Sequence, residues 1–96
     1  MFIILLIYKV PIEQIEFHLE NHVLYLKEQY KSGNFLASGR RVPRSGGVIL
    51  AKMDNKTELE QILNKDPFKQ NDLADYEIIE FLPSMTCKEL DFLIEH

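Results

Sequence analysis

Seven residues near the start, "FIILLIY" from Phe2 to Tyr8, are apolar without a break. A strand with one wet face alternates apolar and polar side chains, so an unbroken run reads as a strand covered on both faces. "GVILAKM", Gly47 to Met53, repeats the pattern. Any fold for this chain must place two such strands where neither face meets water.

The segments between them supply the rest. Pro11 suits the first turn of a helix, where its missing N–H costs nothing. From Ile12 to Lys31, Ile12, Ile15, Leu19, His22, Leu26 and Tyr30 recur at steps of three and four and mark one helix face. Glu13, Glu16, Glu20 and Lys27 lie on a solvated face. Phe17 and Leu24 point away from the stripe and need other cover, for which the C-terminal segment is available. Ser32-Gly33 stops the helix, with Gly33 as a left-handed cap. Asn34 to Val42 reads as a second strand and Ser45-Gly46-Gly47 as a turn. Asn55 or Thr57 caps a short helix with Glu58 and Glu60 in its first turn and Ile62 and Leu63 on its buried side. Asp66-Pro67 ends it, because a residue before proline is pushed out of the helical region. Phe68 to Leu73 is a connector, Asp75 to Leu82 a fourth strand, and Met85 to Glu95 a final short helix.

The order β-α-β-β-α-β predicts an α+β, ferredoxin-like fold: an antiparallel four-stranded sheet with its helices on one face. At 96 residues the chain is one domain, 1–96, and a domain of this size buries only about two thirds of its unfolded surface. Two helices cover one face of the sheet, yet the first and third strands are apolar on both. A second copy is the economical cover, so a homodimer through the sheet face is expected.

Composition excludes several classes. The chain is 46% apolar and 27% charged, as a soluble globular protein is, and its net charge of -4 argues against general nucleic-acid binding. One cysteine, Cys87, allows neither an intramolecular disulfide nor a cysteine zinc cage, and it reads as a half-buried small hydrophobe. The N-terminal run lacks the positive flank and cleavage site of a signal peptide. No stretch approaches the roughly 20 apolar residues that span a bilayer. A cytoplasmic protein with no membrane partner is expected.

His22 takes a slot in the helix stripe where leucine would be the plain choice. A buried imidazole needs partners for its nitrogens, whether its role is structural or acid–base. His18, one turn earlier, completes an i, i+4 pair of the kind that binds metal, but no third ligand has matching spacing, so no metal is assigned. His18 and His96 read as surface residues. Asp66 is either a turn residue or a carboxylate that orients an imidazole.

Arg40, Arg41 and Arg44 form a basic cluster. Strict alternation sets Phe35, Ala37, Gly39 and Arg41 on one strand face and Leu36, Ser38, Arg40 and Val42 on the other. The two adjacent arginines therefore diverge unless the strand bulges. Guanidinium groups beside Ser38 and the Gly46-Gly47 backbone would hold a carboxylate or phosphate. The competing reading is a solvated hairpin tip whose charges discourage edge pairing. No phosphate loop, dinucleotide fingerprint or nucleophile elbow occurs, and no cofactor is expected.

"HVLYLKEQYKSGNFLASG", "GGVILA", the "DPF" triplet and "ADYEIIEF" together resemble the YciI-like (YCII-related) family, in order and over most of the chain. The resemblance implies a dimeric α+β barrel on the ferredoxin-like fold and a His-Asp pair in a cleft beside the sheet, which fall on His22 and Asp66. Some relatives are linked to breakdown of aromatic compounds, including dehydrochlorination of a chlorinated hydroxyquinol. Many relatives follow the second strand with Gly-Pro, where this chain has "SGRRVP", and the added charge points to a more anionic ligand. The expectation is a small cofactor-free lyase or isomerase with His22 and Asp66 catalytic and Ser38, Arg40 and Arg41 at the substrate. The alternative is a non-catalytic small-anion-binding or regulatory module.

Overall fold

The computed structural model describes residues 1–94. Its elements are β1 (Phe2–Tyr8), α1 (Ile12–Lys31), β2 (Phe35–Arg40), β3 (Gly46–Ala51), α2 (Lys56–Leu63), α3 (Pro67–Gln70) and β4 (Ala74–Glu80), followed by a 3-10 turn at Lys88–Leu93. The four strands form one sheet in the order β2-β3-β1-β4, with β1 antiparallel to both of its neighbours and β2 antiparallel to β3. This is the ferredoxin-like α+β fold that the order of segments predicts.

Both apolar runs occupy the two central positions. Phe2, Ile4 and Leu6 of β1 and Ile49 and Ala51 of β3 pack against Ile15, Tyr25, Leu59, Leu63 and Phe68 from the three helices. Ile3, Leu5 and Ile7 point to the other face, paired in register with Leu50, Val48 and Gly46 on one side and with Ile79, Glu77 and Asp75 on the other. Among the described residues no α-helix covers that face. Ile7 and Ile79 are each 41% exposed there.

Two glycines answer backbone demands. Gly33 holds φ +79° at the end of α1, a conformation costly for any other residue. Gly46 lies so close to β1 that a Cβ would fall 1.8 Å from the Leu6 carbonyl oxygen. Asn55 caps α2 by accepting from the Glu58 N–H at 2.8 Å.

Several local expectations change. The buried side chains of α1 are Ile15, His22, Tyr25 and Gln29, whereas Leu19 and Tyr30 are partly exposed. The sheet below Leu19 ends in small and polar residues, so this stripe position borders a cavity. The connector after Asp66 contains a one-turn helix, α3. The expected C-terminal helix is only the 3-10 turn, because Pro83, Thr86 and the absence of a packed face leave too little to nucleate an α-helix. Cys87 is exposed. Phe17, at 83% exposure, and Leu24, at 55%, are not covered by the C-terminal segment, which instead meets Lys52 through the Phe92 carbonyl. Glu95 and His96 lie outside the described residues. No helix among the described residues is long and apolar enough to cross a membrane.

Candidate active site

Asp66 follows α2 at a tight turn and caps α3. Pro67 takes the first helical position and the Asp66 carboxylate accepts from the Phe68 N–H at 3.0 Å. That capping geometry turns the carboxylate inward, where it is completely buried. The same oxygen, Oδ1, lies 2.7 Å from His22 Nδ1 on α1. Its Oδ2 accepts from the Tyr76 hydroxyl of β4 at 2.6 Å. The Phe68 N–H and the Tyr76 hydroxyl both donate to the group, which suits a carboxylate that only accepts.

An ionised carboxylate only accepts, so His22 Nδ1 carries the hydrogen of that bond and Nε2 is the nitrogen left to act. Among the described residues Nε2 has no hydrogen-bond partner, and it is not sealed from solvent. The ring lies flat on Phe68, centroids 3.9 Å apart and planes within 2°. Stacking and the Asp66 bond together fix the ring plane and its direction. Tyr25 stands beside it and donates to the Ile62 carbonyl at 2.9 Å, tying α1 to α2. Burial, and then the nearby Asp66 charge, raise the Tyr25 and Tyr76 hydroxyls well above the ordinary tyrosine range. Both therefore remain proton donors in the folded protein.

His22 faces a cleft of about 510 Å³ between α1 and the sheet. Leu6, Leu19, Leu26 and Ile49 give it apolar walls, and Ser38 and Arg40 add polar groups on the sheet side. The two reach the cleft through an irregularity. Phe35 pairs with Ala51 and Ala37 with Leu50, so Leu36 is an extra residue and β2 bulges there. Beyond the bulge, Ser38 pairs with Ile49 and Arg40 with Gly47, on the same face as the buried Phe35. Strict alternation from Phe35 would have turned Arg41 inward. The structure turns Arg40 inward, and the Arg41 stem crosses Gly46 on the other side. Arg41 does not line the cleft.

Three residues of the site have no role that the sequence alone suggests. Tyr76 holds Asp66, within a segment notable otherwise only as a strand. Glu16 lies on the solvated face of α1 yet meets Arg44 at 3.1 Å across the cleft mouth. Tyr30 hydrogen-bonds the Ser38 hydroxyl. The alternation of β4 offered a signal for Tyr76, since Tyr76 and Ile78 share the helix-facing parity. No sequence signal pointed to the Glu16–Arg44 pair.

A family model, that of the YCII-related domain, matches residues 1–82. Among solved structures, the chain is similar to the 5-chloro-2-hydroxyhydroquinone dehydrochlorinase TftG from Burkholderia phenoliruptrix AC1100, in complex with 2,5-dihydroxybenzoquinone. The TM-score is 0.70 over 84% of this chain and 93% of that one, at 13% identity, which makes the likeness one of fold. No curated protein matches by sequence. The family match takes in the whole sheet, the three helices and both His22 and Asp66, and the chain belongs to the YCII-related family.

Proposed function

We propose that the protein is a small lyase or isomerase that moves a proton on a compact cyclic or carbonyl compound, with His22 as the acid–base group. The observation that carries this reading is the 2.7 Å bond from His22 Nδ1 to a fully buried Asp66 at the wall of an apolar cleft. Nε2 takes a proton from carbon next to a carbonyl, leaving an enolate and an imidazolium. Asp66 stabilises that imidazolium and holds the tautomer. The enolate then expels a leaving group from the neighbouring carbon or is reprotonated elsewhere. Either outcome returns the site to its starting state once the proton leaves Nε2. A positioned group of this kind contributes about a hundred- to ten-thousand-fold in rate. Ser38 and Arg40 orient the substrate. The dehydrochlorinase of similar fold makes elimination from a substituted hydroquinone the first reaction to try.

The test is a panel of chlorinated hydroxyquinols, cyclic ketones and lactones, incubated in D2O and followed by NMR for solvent exchange, elimination or isomerisation. Wild type should convert or exchange at least one class, and His22→Gln, of similar size, should lose this while keeping its circular dichroism spectrum. Unchanged turnover in His22→Gln would refute the role of His22. The second reading, a non-catalytic anion-binding module, is favoured by the guanidinium of Arg40 in the same cleft. It requires that bound ligand be recovered chemically unchanged.

A further inference from the structure

We infer that the cleft selects a monocyclic monoanion, seated with its carboxylate or other oxyanion on Arg40 and its ring against the apolar walls. The inference rests on the reading of this cleft as the ligand site and adds the charge of what enters it.

Charge is the first constraint on what enters the cleft. Three charged side chains line the cleft: Glu16, Arg40 and Arg44. Arg44 and Glu16 satisfy each other at 3.1 Å. Among the described residues Arg40 has neither an ion pair nor a side-chain hydrogen bond. Of the charged side chains that line the cleft, Arg40 alone is left without a partner among the described residues, since Asp66 lies behind His22 and is held by its own donors, on a chain whose formal net charge is -4. A cation held in a concave site with low-dielectric walls attracts anions selectively. With Arg44 already held by Glu16, a second negative charge on the ligand finds no free cation in the cleft among the described residues.

Geometry narrows the ligand further. Arg40 lies opposite Gly47 in the register, so no cross-strand side chain stands directly opposite it. Ser38 and Arg40 are two residues apart on one strand face, a separation of roughly 7 Å. That separation suits two substituents of one small ring. The ring itself is matched by Leu6, Leu19, Leu26 and Ile49, and the cleft volume is that of a site for small molecules. Guanidinium also offers the two parallel donors that a carboxylate accepts.

Benzoate and its neutral isostere benzamide are the probes, titrated into the full chain and followed by amide NMR shifts at low and at high salt. Benzoate should saturate with shifts on Ser38, Gly39 and Arg40, bind at least tenfold more tightly than benzamide, and weaken with salt. Arg40→Met, which keeps the aliphatic stem, should erase the preference, while Arg41→Met should keep it. Equal affinity for the two probes, unaltered benzoate binding in Arg40→Met, or no saturable benzoate binding at all would overturn the inference. His22→Gln separates the two proposals. If it keeps the preference for benzoate and the wild type converts nothing on the panel, the acid–base reading fails and the anion site stands. If the wild type turns over a substrate but binds benzamide as well as benzoate, the anion site fails alone.

Discussion

Replacing Asp66 by asparagine should cost the fold little, whereas alanine should cost it heavily. The difference follows from how the carboxylate is bonded. Oδ1 accepts from His22 at 2.7 Å and from the Phe68 N–H at 3.0 Å, and an asparagine carbonyl in the same place accepts both. The asparagine amide then stands where Oδ2 accepts from Tyr76 at 2.6 Å. A tyrosine hydroxyl rotates and accepts as readily as it donates, so that bond survives with its direction reversed. What asparagine loses is charge assistance and the acceptor of the Tyr76 hydroxyl hydrogen, and it is spared the burial of an ion, for a net cost of about 1 kcal/mol. Alanine removes the helix cap and strands the His22 and Tyr76 donors, for about 3–5 kcal/mol in total. With a urea m-value of about 1.5 kcal/mol per molar, the midpoint falls by under about 1 M for Asp66→Asn and by about 2–3 M for Asp66→Ala. Urea unfolding followed by far-ultraviolet circular dichroism, at one fixed chain concentration, measures both. If asparagine proved as damaging as alanine, the claim that every atom around Asp66 is satisfied by hydrogen-bond geometry would be wrong.

Other expectations are as direct. The raised Tyr25 and Tyr76 hydroxyls are protonated in both folded and unfolded chains below the ordinary value of 10.0, so their contribution is whole there. Above it the unfolded chain releases protons that the folded one retains, and stability must fall. Urea midpoints between about pH 9 and pH 11 should drop, and less so in Tyr76→Phe; an equal drop in that variant would remove Tyr76 from the cause. Gly46→Ala, with its Cβ directed at the Leu6 carbonyl, should destabilise by roughly 3 kcal/mol, whereas Gly39→Ala, with nothing within 4 Å, should change the denaturation midpoint little. For the open sheet face we propose a second copy of the chain as the cover. Sedimentation at micromolar concentration should show a dimer, and Leu5→Glu a monomer; a wild type that sediments only as monomer refutes that proposal.

Much of the fold was legible because it rests on periodicity. The two apolar runs could only be central strands, and the helix stripe placed His22 inward. Element ends drifted where they depend on pairing: β2 stops at Arg40 because the hairpin closes through the Arg41 N–H to the Gly46 carbonyl. Leu19 misled because a helix stripe records which side faces inward and cannot tell a filled interior from a cavity. Asp66 was legible as the turn residue that stops a helix, but its bond to His22 joins residues 44 apart in sequence, a contact that no local pattern encodes. The parity of β4 turned Tyr76 toward the helices without naming Asp66 as its partner.

The irregularity at Leu36 makes the side on which Arg40 falls a matter of parity. With Phe35 anchored in the core, the odd residue allows Ser38 and Arg40 to share its side. Were the strand to slip by one and run regularly, every later side chain would change sides. Ser38 would give way to Ala37 and Gly39, and the hydroxyl would be lost from the cleft. The positive charge would not be lost, because the next residue is again arginine. The doubled arginine thus insures the cleft's charge against an error of register, while nothing in the chain insures its hydroxyl. Relatives that differ here by a single inserted or deleted residue would then share a preference for anions and differ in what else they recognise on the ring.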